Sequence, residues 1–187
     1  MVILLIDNGS KHLRAITKIL GELRVRFVVK KQNGFFNFPK GIRGVILSGG
    51  GPSLTGKIKL GSIRLDLAAL ELGVPVLGIC EGLEIIALAF GGEVKLLKKP
   101  AHFQNLTVKV KRRNKIFKDL EKEITVYTHH SKYISKVPPW FNIAASSRKD
   151  VVEAIFHKTK PVFGVQFHPE KSESGKKIIQ NFTLLCK

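Results

Sequence analysis

Residues 74–90, VPVLGICEGLEIIALAF, hold the change of period that decides the fold. Val74 to Ile79 is a short apolar run bounded by Gly73, the pattern of a buried strand. Leu83, Ile85, Ile86, Leu88, Ala89 and Phe90 are apolar nearly all round, which suits a buried helix. Cys80 sits at the junction, with Gly78 and Gly82 two residues away on either side. A strand that turns directly into a helix with a nucleophile at the corner is a nucleophile elbow. The corner backbone is strained, and glycine at −2 and +2 removes the side chains that would collide across the turn. The thiol then stands at a helix N-terminus, where free N–H groups and the dipole favour an anion, so a lowered thiol pKa is expected. The backbone N–H of Glu81 would point where an oxyanion forms. On this stretch alone, a buried and inert cysteine after a core strand is an equal alternative.

Working outward, apolar runs alternate with helical periods. Val2–Ile6 reads as a strand, followed by a turn at Asn8-Gly9 and by Ser10, a residue type that caps helices. Leu13, Ile16, Leu20 and Leu23 recur at helical spacing, predicting an amphipathic helix over Lys11–Leu23. Val25–Val29 is a second strand, and Phe35, Phe36 and Phe38 fall in a loop closed by Pro39. Gly44–Leu47 is a third strand that runs into the loop Ser48-Gly49-Gly50-Gly51-Pro52-Ser53, and Ser62–Leu72 is a helix. Strand alternating with helix predicts an α/β fold: an open, mostly parallel sheet with helices on both faces. Ligands in such sheets bind beyond the C-terminal strand ends, so Asn8, the glycine run and Cys80 should cluster. After Gly91-Gly92 the pattern shifts to small additional strands at Val94–Leu97, Leu106–Val110, Ile124–Thr128, Phe141–Ala145 and Val151–Phe156, of antiparallel type. The run Lys109, Lys111, Arg112, Arg113, Lys115 reads as an exposed hairpin, Pro161–Phe167 as a further strand, and Ile178, Ile179, Phe182 and Leu185 as a closing helix.

Length and composition bound the remainder. At 187 residues the whole chain is expected to be one domain with a substantial core. Val2–Ile6 is too short for a leader, and no apolar run reaches membrane-spanning length, so no membrane association is expected. Two cysteines, Cys80 and Cys186, make no disulfide framework, and a reducing cytoplasm fits. The net charge of +18 favours acidic partners, but the lysines are spread along the chain. A solvated basic surface accounts for them. With neither an arginine-rich helix nor a zinc-finger spacing, no nucleic-acid partner is expected. The pair His129-His130 has no metal-site spacing with Cys80 or His168.

A second constellation lies near the C-terminus. The strand Val162–Phe167 ends in His168-Pro169-Glu170. A histidine and an acid two apart at a strand end can project to one side, with Pro169 fixing the backbone between them. The carboxylate can orient the imidazole, and the imidazole can serve a cysteine as base and then acid.

Together, Gly78-Ile79-Cys80-Glu81-Gly82, Gly164–Glu170 (GVQFHPE) and Leu47–Ser53 (LSGGGPS) resemble the class I (triad) glutamine amidotransferases, in order and over nearly the whole chain. Ile6–Ser10 and the SGG-P-S loop are most similar to the GMP synthase glutaminase subgroup, whereas His168–Gly175, HPEKSESG, resembles the imidazole glycerol phosphate synthase subgroup. The resemblance implies Cys80 as nucleophile, His168 as general acid/base and Glu170 as its orienter. It implies an oxyanion hole from the N–H groups of Glu81 and Gly51, with one extra glycine in the loop leaving Gly50 as the alternative donor. It places Gly50, Glu84, His130 and Lys132 at the substrate. It implies glutamine as substrate, no cofactor, and a separate synthetase subunit of the ATP-pyrophosphatase type to receive ammonia.

Two departures concern substrate recognition. The family has Gln four residues after the cysteine, where this chain has Glu84; the subgroup has an acid where this chain has Lys132. Lys132 should repel the amine of glutamine unless Glu84 takes over that contact or Lys132 points to solvent, and the isolated chain is expected to be a poor glutaminase. Two other readings stay open on these residues: a cysteine hydrolase acting on another amide or γ-glutamyl substrate, and a non-catalytic regulatory subunit. Glu81, next to the thiol, opposes thiolate formation.

Overall fold

The computed structural model describes residues 1–32, 37–50, 63–148 and 151–187. Phe35 and Phe36, and Gly51 to Ser62 with the Pro52-Ser53 end of the glycine loop, lie outside the described residues. The elements are β1 (Val2–Asp7), α1 (Leu13–Glu22), β2 (Arg26–Lys31), β3 (Ile42–Leu47), α2 (Arg64–Leu70), β4 (Val76–Ile79), α3 (Glu81–Ala89), β5 (Glu93–Val110), β6 (Glu123–Lys136), β7 (Phe141–Ser146), β8 (Val152–His157), β9 (Val162–Val165) and α4 (Glu173–Leu185).

The nine strands form one sheet in the order β2-β1-β3-β4-β9-β8-β7-β5-β6. The first five are parallel to one another. The remaining pairings are antiparallel. Alternation along each parallel strand sends side chains to two apolar layers. Ile3, Leu5, Ile46 and Leu77 pack under Ile16, Ile19 and Leu20 of α1 and Ile178, Ile179 and Phe182 of α4. Leu4, Ile6, Val45, Leu47 and Val76 pack under Leu65 and Ala69 of α2 and Leu83 and Ile86 of α3. Helices on both faces are what the alternation of apolar runs required.

The chain reverses its direction of sheet growth at β1, which lies between β2 and β3. Such a reversal opens a crevice at the C-terminal strand ends. The end of β1 meets the end of β3 there: Asn8 N–H donates to Ser48 Oγ at 2.9 Å, and Gly9 bridges Gly50. Ser10 does not cap α1; its Oγ accepts from His12 N–H at 3.1 Å, one turn ahead of the helix.

The antiparallel half corrects the expectation of short separate strands. Val94–Leu97 and Leu106–Val110 belong to one strand of 18 residues, and the strand predicted over Ile124–Thr128 runs on to Lys136. Register shifts between Leu96 and Ala101 and between Phe103 and Leu106 accommodate Lys98-Lys99-Pro100 without ending β5. Proline is tolerated because β5 pairs with β7 only at Lys109 and Val110, so the N–H that Pro100 lacks is not needed on that side. Lys109 lies opposite Glu123 across the connection of the basic run, which has the hairpin form expected of it. No helix among the described residues is long and apolar enough to cross a membrane.

Candidate active site

The corner between β4 and α3 has the strained backbone that an elbow requires. Cys80 adopts φ +52° and ψ −105°, in a region that costs a non-glycine residue about 1–3 kcal/mol. The strain is held by contacts on every side. A Cβ at Gly78 would lie 2.5 Å from the Gly82 carbonyl, and one at Gly82 would lie 2.3 Å from the Leu47 carbonyl oxygen. Cys80 N–H donates to Val165 O of β9 at 2.8 Å, and Glu84 N–H donates to Cys80 O at 3.2 Å. The nucleophile is thereby tied to β9 and α3 as well as to its own strand.

His168 follows β9 and faces the same point. Its Nδ1–H donates to Glu170 Oε1 at 2.8 Å, with both side chains buried. Its backbone N–H donates to Tyr127 O at 2.8 Å, which ties the triad candidate to β6. The His12 ring packs edge-on against His168 with centroids 4.8 Å apart. A Cβ at Gly49 would lie 3.2 Å from His168 Cε1, 3.6 Å from Cys80 Cβ and 3.7 Å from Ser10 Oγ. Glycine at this position lets the loop after β3 approach both the cysteine and the histidine, so Asn8, the glycine loop and Cys80 do cluster. Gly50 lines the pocket; Gly51, the first choice for an oxyanion donor, is outside the described residues.

The pocket is a cavity of about 320 Å³ and brings together Cys80, Glu81, Glu84, His130, Lys132 and His168. Glu84 and Lys132 are both buried and form an ion pair, Lys132 Nζ to Glu84 Oε2 at 3.6 Å. Lys132 therefore does not point to solvent. Glu84 Oε1 accepts from Gln166 Nε2 at 3.2 Å, and the same amide lies 3.9 Å from Cys80 Sγ. His130 Nδ1–H donates to the Lys132 carbonyl at 2.6 Å, and burial pushes its imidazole down to about 4, so it is neutral at pH 7.

The electrostatics correct one expectation. The Cys80 thiol is pushed well above its ordinary range, not lowered. Burial is the largest cause, and the Glu84, Glu81 and Glu170 carboxylates add to it; the Glu81 backbone N–H directed at the sulfur opposes them. A helix N-terminus alone does not outweigh desolvation and three nearby acids. Glu81 is itself raised to about 7, by burial first and then by Glu84, with Lys132 opposing.

Three contributors are not singled out by the sequence. Gln166 interrupts an apolar strand two residues before His168, and the period of two puts both on one side; that polar interruption is the available signal. His12 and the buried Asp66 carry none, since each takes its place only through tertiary packing.

The fold and this site define a cysteine-elbow α/β protein with a buried histidine–acid pair close to the elbow cysteine. The chain belongs to the glutamine amidotransferase class-I family, whose profile matches residues 4–186. It is 37% identical over 186 residues to the glutamine-hydrolysing GMP synthase of Francisella tularensis subsp. tularensis, covering 97% of this chain and 35% of that protein. The corresponding Francisella philomiragia enzyme is 36% identical over 190 residues, covering 99% of this chain and 36% of that one. The chain thus spans about a third of the length of these relatives. A Thermoplasma acidophilum protein, provisionally named as a component of GMP synthase, superposes with a TM-score of 0.86 at 33% identity, covering 100% of this chain and 94% of that one. A glutamine amidotransferase from Thermotoga maritima shares the fold, with a TM-score of 0.76 at 19% identity over 98% of this chain and 82% of that one.

Proposed function

We propose that this chain is the glutaminase component of a GMP synthase, releasing ammonia from glutamine for a separate synthetase subunit of the ATP-pyrophosphatase type. The observation that carries the reading is the convergence on Gly49 of the strained Cys80 and the His168–Glu170 pair. Similarity to GMP synthases over nearly the whole chain supports the choice of pathway.

Cys80 rests as a thiol, so His168 removes its proton as sulfur attacks the carboxamide carbon. Glu170 accepts from Nδ1–H, which leaves Nε2 for that proton. The N–H of Glu81 and one from the Gly50-Gly51 loop hold the oxyanion. His168 then protonates the departing ammonia and leaves a thioester at Cys80. Water, deprotonated by His168, hydrolyses the thioester to glutamate.

The buried Glu84–Lys132 ion pair, which lines the same pocket, reads the amino-acid head group. Glutamine brings one ammonium and one carboxylate; Glu84 takes the first and Lys132 the second. Glu84 stands where the family has a neutral Gln and Lys132 where the subgroup has an acid, so the pair supplies one partner for each charge of the substrate. His130, neutral and anchored to the Lys132 carbonyl, holds the strand that presents the lysine.

The test is labelling by a glutamine-derived electrophile, with and without the ATP-pyrophosphatase subunit. The expected result is modification of Cys80 that excess glutamine blocks. A folded chain that stays unlabelled with the subunit present would overturn the reading.

A further inference from the structure

Asp66 lies in the first turn of α2 with no exposed surface, and no step above uses it. Its Oδ1 accepts from Asn8 Nδ2 at 3.0 Å. The same Nδ2 donates to the Ser48 carbonyl at 3.1 Å, and Asn8 N–H donates to Ser48 Oγ at 2.9 Å. Ser48 Oγ in turn donates to the Gly49 carbonyl at 2.9 Å. A chain of hydrogen bonds therefore runs from α2, through the end of β1, to the backbone of the loop that carries Gly49 and Gly50.

Among the described residues, two buried atoms of this cluster have no hydrogen-bond partner within 3.5 Å: Asn8 Oδ1 and Asp66 Oδ2. Leaving such atoms unsatisfied costs about 1–3 kcal/mol each. Turning the Asn8 carboxamide over does not help, because its oxygen would then face the Ser48 carbonyl and the Asp66 carboxylate. A single proton on Asp66 satisfies both. The acid O–H donates to Asn8 Oδ1 while the other oxygen keeps its bond from Asn8 Nδ2. Burial drives the carboxyl in that direction, up to about 6, although hydrogen bonding by Asn8, by the backbone of Asp66 itself and by Gln32, in that order, favours the ion. Among charged neighbours, Glu81 of α3 interacts with Asp66, and it is the Glu81 carboxyl that this like charge raises.

We propose that Asp66 is a positioning residue for the oxyanion loop: as the neutral acid it closes a two-way hydrogen-bonded ring with the Asn8 carboxamide, and Asn8 fixes Ser48 and, with it, Gly49 and Gly50. The role rests on the amide hydrolysis assigned above to Cys80 and His168. A donor loop that shifts by a fraction of an ångström lowers turnover more than substrate affinity, because the oxyanion exists only after attack.

The test compares wild type, Asp66→Asn and Asp66→Ala between pH 5.5 and 8.5, reading kcat and KM for glutamine with the synthetase subunit present. An NMR titration of the Asp66 carboxyl carbon in the full chain accompanies it. The carboxamide introduced by Asp66→Asn reproduces the ring at every pH, since its N–H donates where the acid O–H did. Asp66→Ala is expected to lower kcat by about ten- to a hundredfold with KM within about threefold. Asp66→Asn is expected to recover kcat to within about threefold, and its rate relative to wild type to rise as pH passes about 6. An Asp66→Asn as slow as Asp66→Ala, a ratio flat with pH, or a carboxyl titrating near the ordinary value of about 3.9 would each overturn the proposal. Asp66→Asn and the titration decide it even if Asp66→Ala does not fold. An inactive wild type sinks the glutaminase reading itself; an active wild type with a failed Asp66→Asn sinks only the role of Asp66.

Discussion

At the Cys80 end of the pocket the backbone does the positioning, whereas at the Glu84–Lys132 end two opposite charges do. The nucleophile is placed by a φ of +52°, by glycines at 78 and 82 that leave no room for a Cβ, and by a hydrogen bond to β9. The other end rests on a buried pair 3.6 Å apart, whose members sit on α3 and β6. The difference teaches how far each end can change. Backbone geometry has few alternatives, because another residue at a glycine position collides with main chain. Charged side chains can be replaced without moving main chain: this chain has Glu84 where the family has a neutral Gln and Lys132 where the subgroup has an acid.

The largest effects belong to the backbone-set end. Cys80→Ala should lower ammonia release by roughly 10⁴ or more, because the covalent route is lost. His168→Ala should be nearly as damaging, and Glu170→Gln milder, since Glu170 acts only through the imidazole. A folded Cys80→Ala protein with wild-type turnover would break the comparison at its stronger end. Next comes the charge-set end. Lys132→Met leaves Glu84 buried and unpaired and should cost about 3–5 kcal/mol in denaturant unfolding, together with a raised KM. Adding Glu84→Gln should restore most of the stability but not the KM. Unchanged stability and KM in Lys132→Met would show that the pair does nothing.

The smallest expected effect comes from a buried acid that has no cation partner among the described residues. Glu153 accepts from Ser147 Oγ at 2.7 Å, and burial raises its carboxyl from 4.5 to about 7. Its contribution to stability is therefore complete below the unfolded value and is lost as pH rises through about 7. Glu153→Gln should raise stability at pH 8 by about 1–3 kcal/mol and leave it unchanged near pH 4. Equal melting shifts at both pH values would remove the contrast between a paired and an unpaired buried acid.

What could be read from sequence follows the same division. The parallel strands, the elbow and the clustering of Asn8, Ser48 and Cys80 were legible, because apolar runs and glycine spacing report backbone geometry directly. The length of β5 was not. Lys98-Lys99-Pro100 reads locally as a break, and only its pairing with β6 through a register shift makes it one strand. The state of the thiol was illegible for a related reason. The helix end is local to Cys80, but burial, Glu84 and Glu170 act across the fold. The changes at residues 84 and 132 were visible as two departures from a family pattern, yet their burial against each other was not. Gly51 and its neighbours to residue 62 lie outside the described residues, so the expectation placed on that donor stands as a proposal.

The first turn of α3 is clamped from three strands. Gly78 of β4 leaves no room against Gly82, Gly82 none against Leu47 at the end of β3, and at Gly164 of β9 a Cβ would lie 2.3 Å from Leu83 Cδ1. In kinetic terms, the ordering of this corner is completed when the chain folds and does not recur with each turnover. Substrate meets a nucleophile whose orientational entropy has already been surrendered, leaving the approach of the carboxamide as the motion still to be ordered. A single methyl group at Gly78 or Gly82, where it would meet main chain, would disturb that ordering without touching one reacting atom.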